Sequence, residues 1–395
     1  MPNCPSPRWL EFKSFRDSNG HHPSQTVVFH HNGSSWWIRV VADWPLPNPV
    51  LELGYLKRRS IFQQFIKAID FARLQLLDNT VTKVALTLNE QTQNSIIIRD
   101  GFQTSENYFI AVAHRMCYRI MEDPNRVIYP PLDRHLDLPQ YAASHLQVAE
   151  VIAPAVSIVL VEHRKFAYKT IDRLIYVPGD AEHILDEIDA LAQFRGKPNI
   201  AQLVGLVVSS NPYKTCPLTD MPAVITGFLT EYYPGGSLEQ IIEKNEVPND
   251  NLLVQWALQI GKALESLHLS NRTHLDIKPS NIVLDAQKNA ILIDISGTGG
   301  YGLEWLSPEM DTAVRQNMGM VPTNASFKER VATDCWAYGR LLSILAAKCG
   351  TGGAAEKLGF VALCLTKANP EDRTSLSDAL AELHEEGQKA FPSRN

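Results

Sequence analysis

The chain has 395 residues, a net charge of −6 and 45% hydrophobic residues, which is enough apolar material for more than one globular domain. Neither the first 145 residues nor the remainder has the strongly basic balance of a nucleic-acid-binding protein, so no nucleic-acid partner is predicted. No apolar run reaches the roughly 18 to 20 residues of a membrane helix, and the charged first twenty residues lack a signal-peptide core. The cysteines form no CxxC pair, which indicates reduced thiols. We therefore expect an intracellular, cytoplasmic protein without a membrane span.

The amino-terminal part predicts a small α+β domain. Stretches rich in β-branched and aromatic residues predict strands in "TVVFHH", "SWWIRVVADW", "KVALTLNE" and "NSIIIRD". Apolar residues at helical spacing predict helices over residues 55–77 and 105–122. Four prolines interrupt any period between residues 124 and 145. We therefore place an accessory domain at residues 1–140 and a second domain at residues 146–390.

The second domain begins with strands and ends with helices. Strands are predicted in "LQVAEVIA", "SIVLVE" and "FAYKTI", followed by a helix over residues 180–194. Two further strands, "AQLVGLVVS" and "AVITGFLTEYY", follow that helix, and residues 250–268 then carry apolar side chains along one helical face. A β-rich part followed by a helical part predicts an α+β architecture for this domain as well.

The stretch "HLDIKPSN" contains a group of residues suited to chemistry. It places the carboxylate of Asp276, the ammonium of Lys278 and the amide of Asn281 within six residues, and Asp294 follows in "IDIS". A carboxylate can orient an attacking hydroxyl, a lysine can offset charge on a moving phosphoryl group, and an amide and a second carboxylate can bind Mg²⁺. The set therefore predicts phosphoryl transfer.

These residues resemble the catalytic loop and metal-binding motif of the eukaryotic protein kinase superfamily. Further sequence motifs of this family follow in the same order along the chain, so that the resemblance covers about residues 146–385. It implies that Lys169 grips the nucleotide phosphates and that Glu187 pairs with Lys169. It also implies that Thr230 is the gatekeeper and that Glu231–Tyr233 lie along the adenine edge.

The resemblance also implies a fold, a ligand and a reaction. The expected fold is a bilobal protein kinase-like domain, with a small β-rich lobe and a helical lobe, preceded by the α+β accessory domain. The implied cofactors are ATP and Mg²⁺, and the implied partner is a protein substrate phosphorylated on Ser or Thr. Three residues are implied to support the fold, with Glu309 pairing with Arg373 and Asp334 bracing the catalytic loop.

The sequence departs from the family pattern where the nucleotide would be covered. The segment Val151–Val159 contains no glycine, so its backbone cannot approach phosphates as a glycine-rich loop does. Leu275 replaces the arginine that usually precedes the catalytic aspartate, which removes the customary partner of an activation-loop phosphate. Fourteen residues lie between Asp294 and Glu309, a short activation segment.

Two alternatives to a protein kinase follow from these departures and from the family's breadth. The first is a pseudokinase, a scaffold with weak or no phosphoryl transfer, which the missing glycine loop favours and the intact catalytic set opposes. The second is a small-molecule kinase, which the hinge and the motif "WLSPEM" make less favourable because both resemble protein kinases more closely.

Two other motifs have weaker support. "GTGGYG", from Gly297, matches the dinucleotide-binding pattern G-x-G-x-x-G after a strand, but Pro308 follows too soon for the helix that the pattern requires. The histidine pairs at positions 21–22 and 30–31 suggest a metal site. Neighbouring residues of a strand point to opposite faces, so at most one member of each pair could contribute to such a site.

Overall fold

A computed structural model of the chain describes residues 8–18, 21–88, 94–99, 101, 107–133, 136–172, 176–177, 179–244, 249–297, 301–317, 319–350 and 352–384. The chain divides into two compact units. Unit 1 comprises Met1–Arg134, Tyr176–Pro178 and Val208–Ile225, and unit 2 comprises the remaining residues. The domain limits 1–140 and 146–390 stay a prediction, and the end of the second falls outside the described residues.

Unit 1 contains a five-stranded sheet in the order β1-β2-β3-β4-β5. Its strands are β1 (Trp9–Ser18), β2 (His21–His31), β3 (Ser34–Ala42), β4 (Val81–Leu88) and β5 (Met116–Glu122). The pairing of β3 with β4 is parallel and the other pairings are antiparallel. The parallel pair requires a crossover, which contains helices α1 (Asn48–Leu51) and α2 (Tyr55–Ala68). A short helix, α3 (Tyr108–Ala111), precedes β5.

The hydrophobic core of unit 1 lies between this sheet and the helices. Among its largest fully buried side chains are the aromatic rings of Phe62, Phe65, Phe71 and Phe109. Burying a side chain of this kind contributes roughly 1.5–3 kcal/mol. Apolar residues at helical spacing on α2 therefore explain why the predicted helix forms, although it ends at Ala68 and a short 3₁₀ turn, Phe71–Arg73, follows.

Two sequence predictions for unit 1 are wrong, and one strand was not predicted. Residues 105–122 do not form one helix, because Met116–Glu122 pair antiparallel with β4, and this sheet pairing overrides the local helical spacing. "NSIIIRD" forms isolated bridges at Ser95 and Ile98 in place of a strand. Strand β1 was missed, although Leu10 and Phe12 alternate with charged residues as a half-buried strand requires.

The connection Val208–Ile225 is held within unit 1 by hydrogen bonds centred on Asn79. The backbone N–H of Asn79 donates to Oγ1 of Thr215 at 2.8 Å, and the N–H of Thr215 donates back to Oδ1 of Asn79 at 3.1 Å. The ring of Tyr213 packs edge-on against Trp37 with 5.4 Å between ring centroids. Nothing local in the sequence predicts these contacts, because the partners lie more than a hundred residues apart.

Unit 2 begins with a six-stranded sheet in the order β6-β10-β11-β9-β8-β7. Its strands are β6 (Gln140–Ala142), β7 (Gln147–Ala153), β8 (Val156–Val161), β9 (Arg164–Thr170), β10 (Leu203–Ser209) and β11 (Val224–Glu231). Helix α4 (Asp180–Gln193) lies between β9 and β10 in the chain and buries the apolar side chains of Ile184, Ile188 and Leu191. Strand β6, in the region taken as the boundary between domains, was not predicted, and the other elements agree with the strands and the helix predicted for the β-rich part.

The rest of unit 2 is mainly helical, as the sequence predicts. Its helices are α5 (Leu238–Glu243), α6 (Asp250–Leu269), α7 (Pro308–Gln316), α8 (Phe327–Ala346), α9 (Gly353–Leu365) and α10 (Leu376–His384). A two-stranded sheet of β12 (Ile282–Leu284) and β13 (Ala290–Leu292) lies between the stretches "HLDIKPSN" and "IDIS". Trp256 on α6 and Tyr338 on α8 are the largest fully buried side chains. No helix within the described ranges is long and apolar enough to cross a membrane.

Candidate active site

The loop before β12 is held in place by the buried carboxylate of Asp334 on α8. The backbone N–H groups of His274 and Leu275 donate to its two oxygens at 2.8 and 2.7 Å. Nε2 of His268 lies 2.9 Å from the same carboxylate. These bonds stabilise Leu275 at a φ of 62°, which is unfavourable for a residue with a side chain. The hydrogen bonds confirm that Asp334 supports this loop, as predicted.

Asp276 lies at the centre of a small polar cluster. Nζ of Lys278 is 2.7 Å from its Oδ2, and Nδ2 of Asn281 donates to both the carbonyl oxygen and Oδ2 of Asp276 at 2.8 Å. The second carboxylate oxygen, Oδ1, is buried and has no hydrogen-bond partner in the described parts of the chain. A buried acceptor without a donor is costly. Oδ1 therefore suits an incoming hydroxyl group.

Lys169, Glu187 and Asp294 form a second cluster. Nζ of Lys169 lies 2.7 Å from Oε2 of Glu187 and 2.8 Å from Oδ1 of Asp294. The Glu187 side chain is 8% exposed and the Asp294 side chain is 45% exposed. The predicted pairing of Lys169 with Glu187 is therefore present, and one ammonium group binds two carboxylates.

The two carboxylates of this cluster have different proton affinities. Burial raises the pKa of Glu187 to about 7, although the Lys169 ammonium lowers it and the Asp294 carboxylate raises it further. At Asp294, partial burial also favours the neutral acid, but Lys169 outweighs burial and the pKa lies below its usual value. Burial alone would lower the pKa of Lys169, yet its two carboxylate partners raise it. Lys169 therefore stays charged at neutral pH.

Sheet register and helix position bring these side chains together. Lys169 on β9 pairs across the sheet with Phe228 of β11, and Glu187 projects from α4. Asp294 follows β13 and has a φ of 57°. A non-glycine residue in this left-handed region is uncommon and occurs often at functional sites.

A cleft of about 740 Å³ in unit 2 leads to both clusters, which is within the size range of small-molecule sites. Lys169, Glu187, Asn281 and Asp294 line it. Asp276 and Lys278 do not line it, but Asn281 links Asp276 to its wall.

The predicted adenine edge also lies on the cleft wall, since Thr230, Glu231 and Tyr233 are lining residues. The Tyr233 hydroxyl accepts a hydrogen bond from the Gln202 N–H at 3.0 Å, and burial raises the pKa of Tyr233 to about 12.

The hairpin of β7 and β8 forms another wall of the cleft. Its turn is Pro154-Ala155, and Ala155 has a φ of 65°. The Ala155 carbonyl accepts a hydrogen bond from the Thr170 N–H at 2.9 Å, which fastens the turn to the end of β9. All residues of β7 are exposed, and Glu150 and Ile152 line the cleft. No motif in the sequence marks these two residues, and a register shift between Val151 and Ala153 interrupts the alternation of the strand at Ile152.

The residues present suit a magnesium nucleotide. Asn281 and Asp294 supply two oxygen ligands, and Mg²⁺ commonly takes one or two protein ligands together with phosphate and water oxygens. No group of three or more His, Cys, Asp or Glu side chains able to hold a metal ion occurs in the described ranges. The cleft therefore fits an ion that arrives with a phosphate ligand better than an ion held by protein alone.

The two weaker motifs find little support. His22 Nδ1 is 2.8 Å from the Asp43 carboxylate and His30 Nδ1 is 2.8 Å from the Ser35 hydroxyl, so these histidines have separate partners. The side chain of His21 lies outside the described residues. Residues 298–300 of the glycine motif also lie outside them, and Gly297 packs against the carbonyl of Thr273.

Comparison with known proteins agrees with this geometry. Residues 155–351 match the protein kinase domain family. A probable serine/threonine-protein kinase of Dictyostelium discoideum is 30% identical over 165 residues, which are 41% of this chain and 16% of that protein. The serine/threonine-protein kinase VHS1 of Saccharomyces cerevisiae is 31% identical over 147 residues, or 36% of this chain and 30% of that protein. A probable receptor-like protein kinase of Arabidopsis thaliana is 34% identical over 155 residues, or 33% of this chain and 17% of that protein.

The chain therefore belongs to the eukaryotic protein kinase superfamily. It spans less than a third of the length of each of these three relatives.

Proposed function

We propose that the protein transfers the γ-phosphoryl group of ATP to a Ser or Thr hydroxyl of a protein substrate. The single observation that supports this most strongly is the arrangement of Asp276, with Lys278 at 2.7 Å and an unpartnered, buried Oδ1. In this proposal a kinase domain over residues 146–390 follows an accessory domain over residues 1–140.

In this proposal each residue of the site has its own role in the transfer. Oδ1 of Asp276 accepts the hydrogen bond of the attacking hydroxyl and takes up its proton as the bond to the γ-phosphorus forms. The bond between that phosphorus and the bridging oxygen of the β-phosphate breaks in the same transfer, and ADP leaves with that oxygen. Lys278 offsets the negative charge that grows on the transferred group. Lys169, oriented by Glu187, positions the phosphates.

Magnesium ATP, held by Asn281 and Asp294 and by the edge formed by Thr230, Glu231 and Tyr233, would supply the phosphoryl group and the metal's positive charge. Asp294 is paired with Lys169 at 2.8 Å. Nucleotide binding therefore requires Lys169 to share its charge between Asp294 and the phosphates.

The choice of a Ser or Thr hydroxyl on a protein is supported by two relatives whose names describe serine/threonine-protein kinases. The side-chain geometry is compatible with this choice, because an aliphatic hydroxyl needs a nearby acceptor for its proton and Asp276 provides one.

A pseudokinase is the second candidate, and the β7–β8 hairpin is the observation that favours it. A turn of Pro154-Ala155 cannot bring backbone N–H groups as close to phosphates as glycines can. The assembled set of Lys169, Glu187 and Asp294 opposes it, because a scaffold without activity has no need to keep these groups aligned.

Transfer of radioactive phosphate from γ-labelled ATP to generic protein substrates separates the two candidates. The full chain is compared with Asp276→Asn purified in the same way, which controls for contaminating kinases. Magnesium-dependent nucleotide binding is measured beside it. Label transfer by the parent chain and not by Asp276→Asn supports the kinase. Nucleotide binding by both proteins with no transfer by either supports the pseudokinase.

A further inference from the structure

Arg340 on α8 makes cation–π contacts with two tryptophan rings. Its guanidinium carbon lies 5.3 Å from the ring centroid of Trp305 and 5.3 Å from that of Trp336. Nη1 of Arg340 also donates a hydrogen bond to the carbonyl oxygen of Glu304. A planar cation can stack on one ring with each face and still donate hydrogen bonds along its edge. Arg340 therefore connects the turn Leu303–Trp305 to helix α8.

This turn belongs to the segment between Asp294 and Glu309, which is fixed at both ends. Near the beginning, Gly297 lies so close to the Thr273 carbonyl that an added Cβ would be 2.4 Å from its oxygen. At the end, Glu309 forms two hydrogen bonds with Arg373, at 2.7 and 2.8 Å, as predicted. Between these two ends, Arg340 contacts Glu304 and Trp305.

A phosphate on this segment would lack the partner that the family usually provides. Leu275 occupies that position, and its apolar side chain is 7% exposed. Just before Pro308, the Ser307 side chain is fully buried, and its hydroxyl lies 3.0 Å from the Thr333 hydroxyl. Order in the segment must therefore come from contacts that already exist.

We propose that Arg340 is a positioning residue that holds the turn Leu303–Trp305 in place for the protein substrate, without phosphorylation of the segment. This inference rests on the proposed kinase function for its effect on catalysis. Its structural part, the ordering of the turn by Arg340, can be measured whether or not the protein transfers phosphate.

Amide hydrogen exchange tests the structural part in the full chain. The Trp305 N–H donates to the Gly302 carbonyl at 2.9 Å, and the Leu306 N–H donates to the Leu303 carbonyl at 3.3 Å. Exchange at these two amides should become at least tenfold faster in Arg340→Leu. Arg340→Lys should not restore the slow rate, because an ammonium group lacks the two flat faces of a guanidinium.

A matched control lies on the same helix. Arg330 has its guanidinium carbon 5.9 Å from the ring centroid of Phe327, so Arg330→Leu also removes a cation–π contact of α8. In Arg330→Leu, hydrogen exchange at the Trp305 and Leu306 amides should be as slow as in the parent. Trp305→Leu keeps Arg340 but removes one of the two rings, so exchange at the Leu306 amide should become faster. This second variant keeps the inference testable if Arg340→Leu fails to fold.

Steady-state kinetics test the effect on substrate. Arg340→Leu should raise the KM for a protein substrate about tenfold, equivalent to about 1.4 kcal/mol, and leave the KM for ATP within about twofold. If exchange in Arg340→Leu and Trp305→Leu matches that of the parent, the inference is overturned. If exchange accelerates but no variant, including the parent, transfers phosphate, Arg340 still orders the turn and the proposed function fails instead.

Discussion

Two sides of the same cleft are built in opposite ways. The residues to which the proposal assigns phosphate, metal and proton handling are Lys169, Glu187, Asp276, Lys278, Asn281 and Asp294, and we call them the phosphate-binding set. Hydrogen bonds and ion pairs of 2.7–2.8 Å hold this set. The β7–β8 hairpin, by contrast, has an entirely exposed first strand and a turn with a non-glycine residue at positive φ. In the proposal, the charged side chains of the set interact with the phosphates and the metal ion, whereas the hairpin contributes mainly a surface that fits the shape of the nucleotide.

The comparison indicates where binding energy should come from. Charged and charge-assisted contacts inside a cleft are stronger than contacts in water. Without backbone N–H groups close to the phosphates, the hairpin cannot contribute hydrogen bonds of this kind to nucleotide binding. We therefore expect substitutions in the phosphate-binding set to be severe and substitutions in the hairpin to be mild.

The largest effect is expected from Asp276→Asn. Its amide cannot accept the hydroxyl proton, so turnover should fall by roughly 10² to 10⁴, the usual range for a positioned acid–base group. Nucleotide affinity should stay nearly unchanged, because Asp276 does not line the cleft. Single-turnover phosphoryl transfer and titration calorimetry measure the two quantities. An unchanged turnover would remove Asp276 from the mechanism.

The next largest effect is expected from Lys169→Met. This change removes the fixed cation that both Glu187 and Asp294 contact. Affinity for magnesium ATP should fall at least tenfold, about 1.4 kcal/mol. Lys262→Met, at an exposed position of α6 away from the cleft lining, is the control and should bind as the parent does. Equal affinity of Lys169→Met and the parent, measured by calorimetry, would show that the phosphates lie elsewhere.

A smaller effect should appear as the pH is changed. Glu187 must be ionised to orient Lys169, and burial raises its pKa to about 7. The kcat/KM for ATP, which reports groups of the free enzyme, should therefore fall by up to about tenfold per pH unit below pH 7. Glu187→Gln should have a lower kcat/KM that no longer depends on pH in this range. A parent profile that is flat from pH 6 to 8 argues against this role.

The protonation of Glu187 should also affect the free energy of unfolding, with a pH dependence opposite to that of kcat/KM. A carboxyl group with a raised pKa in the folded state binds protons more tightly there than in the unfolded chain. Its contribution to stability is fully present below the ordinary value of 4.5 and is lost as the pH rises through about 7. The free energy of unfolding of the parent, compared with that of Glu187→Gln over this range in urea, measures this contribution.

The smallest effect is expected in the hairpin. Ala155→Gly removes the strain of an alanine at positive φ and allows closer approach to phosphate, so ATP affinity should change by less than about threefold. Ala153→Gly, one strand position before the turn and without positive φ, is the matched control. A gain of tenfold or more in Ala155→Gly would show that the hairpin limits binding after all.

The parts of the site that the sequence predicts are those that chemistry restricts to few residue types. The pairs Lys169–Glu187 and Glu309–Arg373 form as predicted, because each joins opposite charges at fixed places in the family's order. The strands and helices around them also agree with their hydrophobic spacing, since local periodicity and burial favour the same structure there.

The parts that the sequence does not predict depend on distant partners. Met116–Glu122 form a strand because β4 pairs with them, which the local spacing of apolar residues does not reveal. The contact between Arg340 and Trp305 joins residues 35 positions apart in the chain, and the local sequence does not predict it. Contacts of this kind become visible when the fold is known.

The measurement that tests the central claim most directly is the magnesium dependence of ATP binding by the full chain. If the phosphate-binding set holds the nucleotide, titration calorimetry should give an affinity at least tenfold higher with Mg²⁺ than without it, because Asn281 and Asp294 can then bind the metal. Asp294→Asn should lose most of that difference. Equally tight binding of ATP by the parent with and without Mg²⁺ would contradict the account.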